Sequence, residues 1–344
     1  MRNSTTYKLT GTKTFRLSSS KILRHWGSNL QNIEKSMRQI YIPDEGKIFV
    51  QTDQSGAEAL IVSRLTRAGN YRALFENGIK PHTYICVHLF KDVWPKKMRE
   101  HGFLVGDDTI DMDEIIRTPI PQLKLNPLWK SLDSCIRDSD NWSLTERYYY
   151  LGKQTEHSSN YDIQPPTFRM NILEKSGGKI NISKEQSEYF IATKHHLYPE
   201  IKEDFHYNVR KAAESSKMLF NLHGHPYCIT QPYFRETDWK ELYSWIPQST
   251  VGEITNIAYV AMQQFIEREN LAWDLLANTH DSYLLQCPIS DVLECAKKSK
   301  EFMGQRMISP FDGSEFQMRS EASAGFNWRP FHKDKNPQGL QEIK

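Results

Sequence analysis

Apolar and polar positions first alternate along Lys47-Ile48-Phe49-Val50-Gln51-Thr52-Asp53, a short run that ends on an acid and predicts a strand. Directly afterwards the period lengthens. Ala57, Leu60, Ile61, Val62 and Leu65 recur at helical spacing up to Gly69, so the local order is strand, acid, helix. From residue 70 to about 222 the pattern is mostly helical, broken by an acidic stretch (107–114), by Pro119, Pro121 and Pro127, and by Ser176-Gly177-Gly178. This predicts a helical insertion. Helical spacing returns over 238–270. The apolar runs 272–277 and 283–287 then flank the polar segment Asn278-Thr279-His280-Asp281-Ser282, which predicts a β-hairpin with Asp281 at its tip. The tail from Phe331 onward is polar, with Pro and Gly, and is expected to be loosely held.

Composition changes this picture little. The chain has 344 residues, 38% apolar and 25% charged, enough for a real core and for two domains or one large domain with an insertion. No stretch approaches the ~18 apolar residues of a membrane span, and the opening residues lack the order of a signal peptide. An intracellular protein without membrane association is expected. The five cysteines are odd in number, scattered and without a CxxC pair, so they indicate neither a disulfide framework nor a cysteine zinc site.

Charge distribution says more than the net charge of +2. Residues 1–47 carry nine Lys/Arg against three acids, a local excess of +6, and are rich in the Ser, Thr, Asn and Gln that donate to phosphates and base edges. On charge alone, an ordinary solvated basic face reads equally well.

The candidate chemistry lies in two sets of residues. Two acids at the ends of apolar strands, Asp53 and Asp281, are what a two-metal phosphoryl-transfer site needs, because each carboxylate neutralises part of the metal charge. A single Asp after a strand equally caps the helix that follows, so neither acid carries the reading by itself. On a helix, Lys153, His157 and Tyr161 stand four apart on one face, so a cation, an imidazole and an aromatic ring would line one groove. That suits a nucleoside triphosphate, although a solvated helix face has the same spacing.

These segments together resemble the family A DNA polymerases. Arg16-Leu17-Ser18-Ser19-Ser20, Asn29-Leu30-Gln31-Asn32-Ile33 and Asp53-Gln54-Ser55-Gly56-Ala57-Glu58 resemble the stretch that ends in motif A. Gly152-Lys153, His157 and Asn160-Tyr161 resemble motif B, Gln248-Ser249-Thr250 the glutamine-bearing palm helix, and His280-Asp281 motif C. Gly325-Phe326-Asn327-Trp328 is similar to the last strand. The resemblance runs in family order over nearly the whole chain, with wording closest to phage-type members.

It implies an α+β fold of the right-hand polymerase type, without thumb or exonuclease. The palm, with an antiparallel sheet, would comprise 1–70 and 223–344, and helical fingers would be inserted at 71–222. It also implies a template-directed DNA polymerase that uses two Mg²⁺ ions, or Mn²⁺ in their place, and binds primer–template DNA and dNTPs. Asp53, Gln54 and Asp281 would hold metal. Gln54, Glu58, His82, Arg147, Lys153, His157 and Tyr161 would contact nucleotide, with Lys153 also able to protonate pyrophosphate. Glu58 would block a 2′-hydroxyl. Arg16, Asn32, Gln248 and His280 would touch the minor-groove side of the primer–template, where acceptors common to all base pairs permit sequence-blind contact.

Four departures accompany the resemblance. Ser282 stands where motif C commonly has glutamate, and Tyr149 where an arginine usually grips the triphosphate, with Arg147 two residues away. Asp162 replaces the glycine after the motif B tyrosine, and 21–28 reads as an insertion. The first two keep open a second reading, a catalytically weakened polymerase-like DNA-binding protein. Only about ten residues precede Thr10-Gly11, where family members carry a thumb and often an exonuclease, so a second polypeptide supplying the thumb is also expected.

Overall fold

The alternating run around Phe49 becomes the central strand of a five-stranded sheet, and that strand sets where the acids lie. The computed structural model describes residues 4–9, 11–21, 27–106, 108–143 and 146–343. Thr10, most of the expected insertion (22–26), and Arg2 and Arg24 of the basic opening lie outside the described residues. Contacts divide the chain into two units. One comprises Met1–Glu58, Phe220–Tyr227 and Trp245–Lys344; the other comprises Ala59–Leu219 and Cys228–Ser244.

The strands are β1 (Thr6–Lys8), β2 (Ser18–Ser20), β3 (Lys47–Gln54), β4 (Met218–Phe220), β5 (Pro226–Cys228), β6 (Asp274–Asn278), β7 (Ser282–Pro288), β8 (Arg306–Ile308), β9 (Glu315–Gln317), β10 (Ser320–Gly325) and β11 (Gln341–Glu342). The helices are α1 (Ala57–Arg64), α2 (Asn70–Glu76), α3 (Pro81–Leu89), α4 (Trp94–Glu100), α5 (Met112–Arg117), α6 (Trp129–Asp138), α7 (Tyr148–Ser159), α8 (Pro165–Lys175), α9 (Lys184–Leu197), α10 (Tyr207–Ser215), α11 (Glu236–Arg268) and α12 (Val292–Met303). None among the described residues is long and apolar enough to cross a membrane.

In the first unit the sheet order is β11-β10-β3-β7-β6, antiparallel throughout. Alternation in β3 serves two cores. Val50 joins Tyr283, Leu285 and Ala322 against Met262 and Phe265 of α11 and Cys295 and Met303 of α12. Phe49 joins Leu30, Ala277, Leu284, Trp328 and Leu340 on the other face. Full burial of a Val, Leu, Phe or Met side chain among these contributes about 1.5–3 kcal/mol. The predicted hairpin is β6–β7, with a bulge between Leu275 and Ala277.

Two polar clamps fix the hairpin to the β1–β2 ribbon. The Tyr7 hydroxyl donates to the Asn278 carbonyl at 3.0 Å and accepts from the Asn278 N–H at 2.8 Å. The Gln31 amide donates to the carbonyls of Leu17 and Asn278 and accepts from the Ser19 N–H.

The tail departs from expectation. Instead of hanging loosely, it returns so that β11 pairs with β10, Leu340 enters the core, and the buried Asn336 amide donates to Asn327 Oδ1 and to the carbonyls of Arg329 and Pro330. Glycine makes the return possible, because a Cβ on Gly325 would lie 2.5 Å from the Gly339 carbonyl carbon.

The second unit is helical, and its centre is polar. Lys194 on α9 is fully buried, ion-paired with Glu156 and 2.9 Å from Asn160 Oδ1, with its ammonium 4.2 and 4.7 Å from the ring centres of Tyr71 and Tyr198. The π-helical turn Ile201–His206 leads into α10, and His206 Nε2 bonds the Asn160 carbonyl at 2.8 Å. The C-terminal end of α7 is thereby held from two sides.

Candidate active site

In the sheet unit, strand register brings the two acids to one end of the sheet. Asp53 lies directly across from Ser282, and the Gln54 N–H donates to the Asp281 carbonyl at 3.0 Å. The turn between β6 and β7 is closed by the Thr279 N–H on the Ser282 carbonyl (2.7 Å), and the buried Ser282 hydroxyl bonds the Thr279 hydroxyl and accepts from the Gln51 amide. The motif C serine is thus a turn-closing group directed inward. Both acids are exposed.

Arg16 and Glu58 lie near the acids, joined by a 2.5 Å ion pair with each side chain about one-fifth exposed. Protein packed around Asp281 raises its pKa above the ordinary carboxylate value; Glu58 pushes the same way and Arg16 opposes. Burial, assisted by Arg16, lowers His280 below the usual imidazole value, against the pull of Asp281. His280 and Phe15 both hold left-handed backbone, at φ of 74° and 57°, immediately before Asp281 and Arg16. Left-handed non-glycine residues cost energy and cluster at functional sites. A close approach permitted by Gly252 sets the Arg16 backbone, since a Cβ there would lie 2.8 Å from the Thr14 carbonyl oxygen and 3.2 Å from the Arg16 nitrogen.

The other sheet-unit candidates differ in how they are presented. The Gln54 side chain is buried and donates to the Val251 carbonyl and the Thr255 hydroxyl, which leaves its backbone carbonyl as the group it could offer a metal. Asn32 is exposed at the end of the 3-10 turn Leu30–Asn32, and Gln248 is half-buried on α11.

No group of three or more His, Cys, Asp or Glu side chains suited to a metal occurs among the described residues. Two carboxylates suffice for Mg²⁺, which usually takes one or two from the protein and completes its shell with water and substrate phosphates. His280 Nδ1 and Arg16 Nε are in addition buried without a hydrogen-bond partner. Asp53 and Asp281 therefore fit a hard divalent cation that arrives with a phosphate ligand.

In the helical unit, α7 presents Lys153 exposed and His157 half-exposed, while Tyr161 just beyond it is buried. His82, near the start of α3, lies with its ring centre 5.4 Å from that of His157. Burial pushes the His82 imidazole well below its ordinary pKa, and the charges of His157 and Lys153 act in the same direction. Arg147 caps the start of α7, with Nε bonded to the Asp140 carbonyl at 3.3 Å. Asp162 holds φ at 55°, so the position after Tyr161 does require the left-handed conformation that glycine adopts freely and aspartate tolerates.

Close contact between α3 and α7 depends on Gly152. A Cβ there would meet Cys86 Sγ at 2.2 Å and the His82 carbonyl oxygen at 3.1 Å. Gly152→Ala is expected to cost about 1–3 kcal/mol, as overpacking generally does. Urea denaturation measures the loss, and a variant as stable as the parent would show that the helices separate freely.

Tyr7 and Gly252, which help fix the hairpin and Arg16, stand in no motif of the sequence, and Asn278 reads there only as part of a polar turn. Only Gln31, inside the Asn29–Ile33 segment, carried a signal for this role.

No family model matches the chain. It is 21% identical over 310 residues to DNA polymerase I of Caldicellulosiruptor bescii, covering 86% of this chain and 29% of that protein. Its fold matches the POL domain of Pol1 from M. smegmatis, solved in complex with DNA primer-template and dNTP. That match has a TM-score of 0.64 at 16% identity and covers 94% of this chain and 48% of the other. The chain therefore spans less than half the length of either protein. Along most of its length the chain is thus similar in sequence to part of a DNA polymerase I, and it has the α+β fold of a DNA polymerase I polymerase domain.

Proposed function

We propose that the chain is the palm-and-fingers part of a DNA-directed DNA polymerase of phage type, transferring dNMP from a dNTP to a primer 3′-hydroxyl. The observation that most supports this is the β3–β7 register, which brings Asp53 and Asp281 from distant parts of the sequence to one end of the sheet. Two Mg²⁺ ions, or Mn²⁺, would supply the charge that activates the hydroxyl and stabilises the leaving pyrophosphate. Asp53 and Asp281, with the Gln54 carbonyl, hold that charge. Lys153 and His82 meet the triphosphate, Arg147 adds positive charge, and Lys153 carries a proton that can pass to pyrophosphate. His157 packs by the sugar and base, and Tyr161 by the nascent pair. Arg16, Asn32, Gln248 and His280 contact the primer–template minor groove.

Primer extension with purified chain, labelled primer–template and dNTPs tests the proposal, and no incorporation under any divalent cation would reject it. DNA binding without incorporation would favour the second reading, which Tyr149 and Ser282 support. A thumb-bearing chain added in parallel tests for the expected second polypeptide.

Glu58 selects the sugar in this scheme, its carboxylate fixed by Arg16. Glu58→Ala is expected to raise rNTP use relative to dNTP use by at least about tenfold, whereas Glu58→Gln, which keeps the bulk, retains most discrimination. An unchanged ratio in an active Glu58→Ala enzyme would remove the steric role.

A further inference from the structure

Tyr149 occupies the motif B position where an arginine usually grips the triphosphate, and it is not idle there. Its hydroxyl lies 3.5 Å from His82 Nδ1, a long hydrogen bond, and its ring meets the imidazole edge-on with centroids 5.9 Å apart. Tyr149 is held in turn by its N–H on the Ser139 hydroxyl at 2.9 Å. Burial is the main force against an imidazolium at His82, and the largest charge effects, from His157 and Lys153 of α7, Lys194 of α9 and Lys80 just before α3, act in the same direction. The tyrosine hydroxyl is raised to about pKa 12 and stays protonated at neutral pH. A protonated phenol can donate to a neutral imidazole, and when it does, the nitrogen that accepts cannot carry the ring proton.

We propose that Tyr149 is a positioning residue that locks His82 as the Nε2–H tautomer, so that His82 presents a neutral N–H donor, beside Lys153, to the phosphates of an incoming nucleoside triphosphate. The inference rests on the polymerase reading above. It gives the missing arginine a specific replacement: the charge is gone, and an oriented donor remains. A neutral donor costs less to bury than a charge and does not repel Lys153 or His157. It also binds phosphate less strongly than a charged partner would. Nucleotide affinity would then rest chiefly on Lys153, with His82 setting geometry.

The test has two arms. In the first, the full chain is labelled with ¹⁵N-histidine, and the His82 ring nitrogens, assigned by comparison with His82→Gln, are read by long-range proton–nitrogen correlation at neutral pH. The wild type should show Nε2 protonated and Nδ1 bare, and Tyr149→Phe should show a tautomer mixture. A bare Nε2 in the wild type, or the same tautomer in both proteins, would overturn the proposal. In the second arm, Tyr149→Phe should raise KM for dNTP roughly fivefold with little change in kcat. The same substitution should have no further effect in a His82→Gln background. Full, independent effects in that background would show that Tyr149 does not act through His82. If the wild type has the expected tautomer but neither binds nor incorporates dNTP, the polymerase reading fails and the tautomer lock stands.

Discussion

Replacing Asp53 or Asp281 by alanine should abolish nucleotide incorporation and leave primer–template binding largely intact. In the proposed function the two acids serve metal-borne charge, whereas DNA phosphates would be met by basic and hydroxyl groups elsewhere on the chain. Loss of one carboxylate should remove several kcal/mol of transition-state stabilisation, which is at least about a hundredfold in rate. Single-turnover extension on a labelled primer gives the rate, and a filter-binding titration gives the affinity. Either variant retaining more than about a tenth of the parental rate would sink the two-metal assignment. The Asp53 position is the cleaner test. Asp281 sits in a turn tied by Thr279 and Ser282, and its carbonyl accepts from Gln54, so Asp281→Asn should accompany the alanine variant to separate charge from turn geometry.

Lys194→Met should destabilise the helical unit by about 3–5 kcal/mol, the usual cost of stripping one partner from a buried ion pair. Glu156 would be left buried without its counter-charge, and one of its oxygens already lacks a hydrogen-bond partner. Burial pushes the Lys194 ammonium toward its neutral form, and Glu156 opposes that push. The double variant Lys194→Met with Glu156→Leu should recover most of the loss, since well-packed apolar residues can replace such a pair at little net cost. Urea denaturation followed by circular dichroism reports both. A loss below about 1 kcal/mol in the single variant would show that the pair contributes little. Glu156 and Asn160 are the inward anchors of α7, and Lys153 and His157 ride on the same helix. The single variant should therefore also loosen Lys153 and His157.

The sheet was legible in the sequence because its chemistry is apolar and periodic. Phe49 and Val50 alternate between two cores, and the runs flanking Asp281 can hardly be anything but a hairpin. The inner face of α7 was not legible. Gly152, Thr155, Glu156, Ser159 and Asn160 read as a polar surface, yet they are buried: Lys194, 34 positions beyond Asn160, pairs with Glu156 and bonds Asn160, the Thr155 hydroxyl turns back onto the Leu151 carbonyl, and Gly152 packs against α3. No local pattern signals a partner so distant. The tail failed for a similar reason: its order comes from one buried asparagine and two glycines, in a segment whose composition resembles a loop. Among the departures, Asp162 is explained by its backbone conformation and Ser282 by the turn it closes. Lys217 and Asn270, also left-handed, have no comparable explanation in their surroundings.

The central strand has its partner very late in the chain. Asp44 and Gln286, just outside and within the β3–β7 ladder, exchange two hydrogen bonds across 242 positions. Closing so long a loop costs entropy only as the logarithm of its length, so the native state tolerates it, but the search for that contact is slow. On a ribosome, β3 emerges first and must wait unpaired while some two hundred residues of local helical structure are made and collapse. Its free edges are in that interval open to any other strand, including another nascent copy of itself. The charged Lys47 at its start and Asp53 next to its last residue are placed as gatekeepers would be during the wait. Asp53, one residue from the strand's end, would thus guard the chain against misassembly before the sheet that holds it exists.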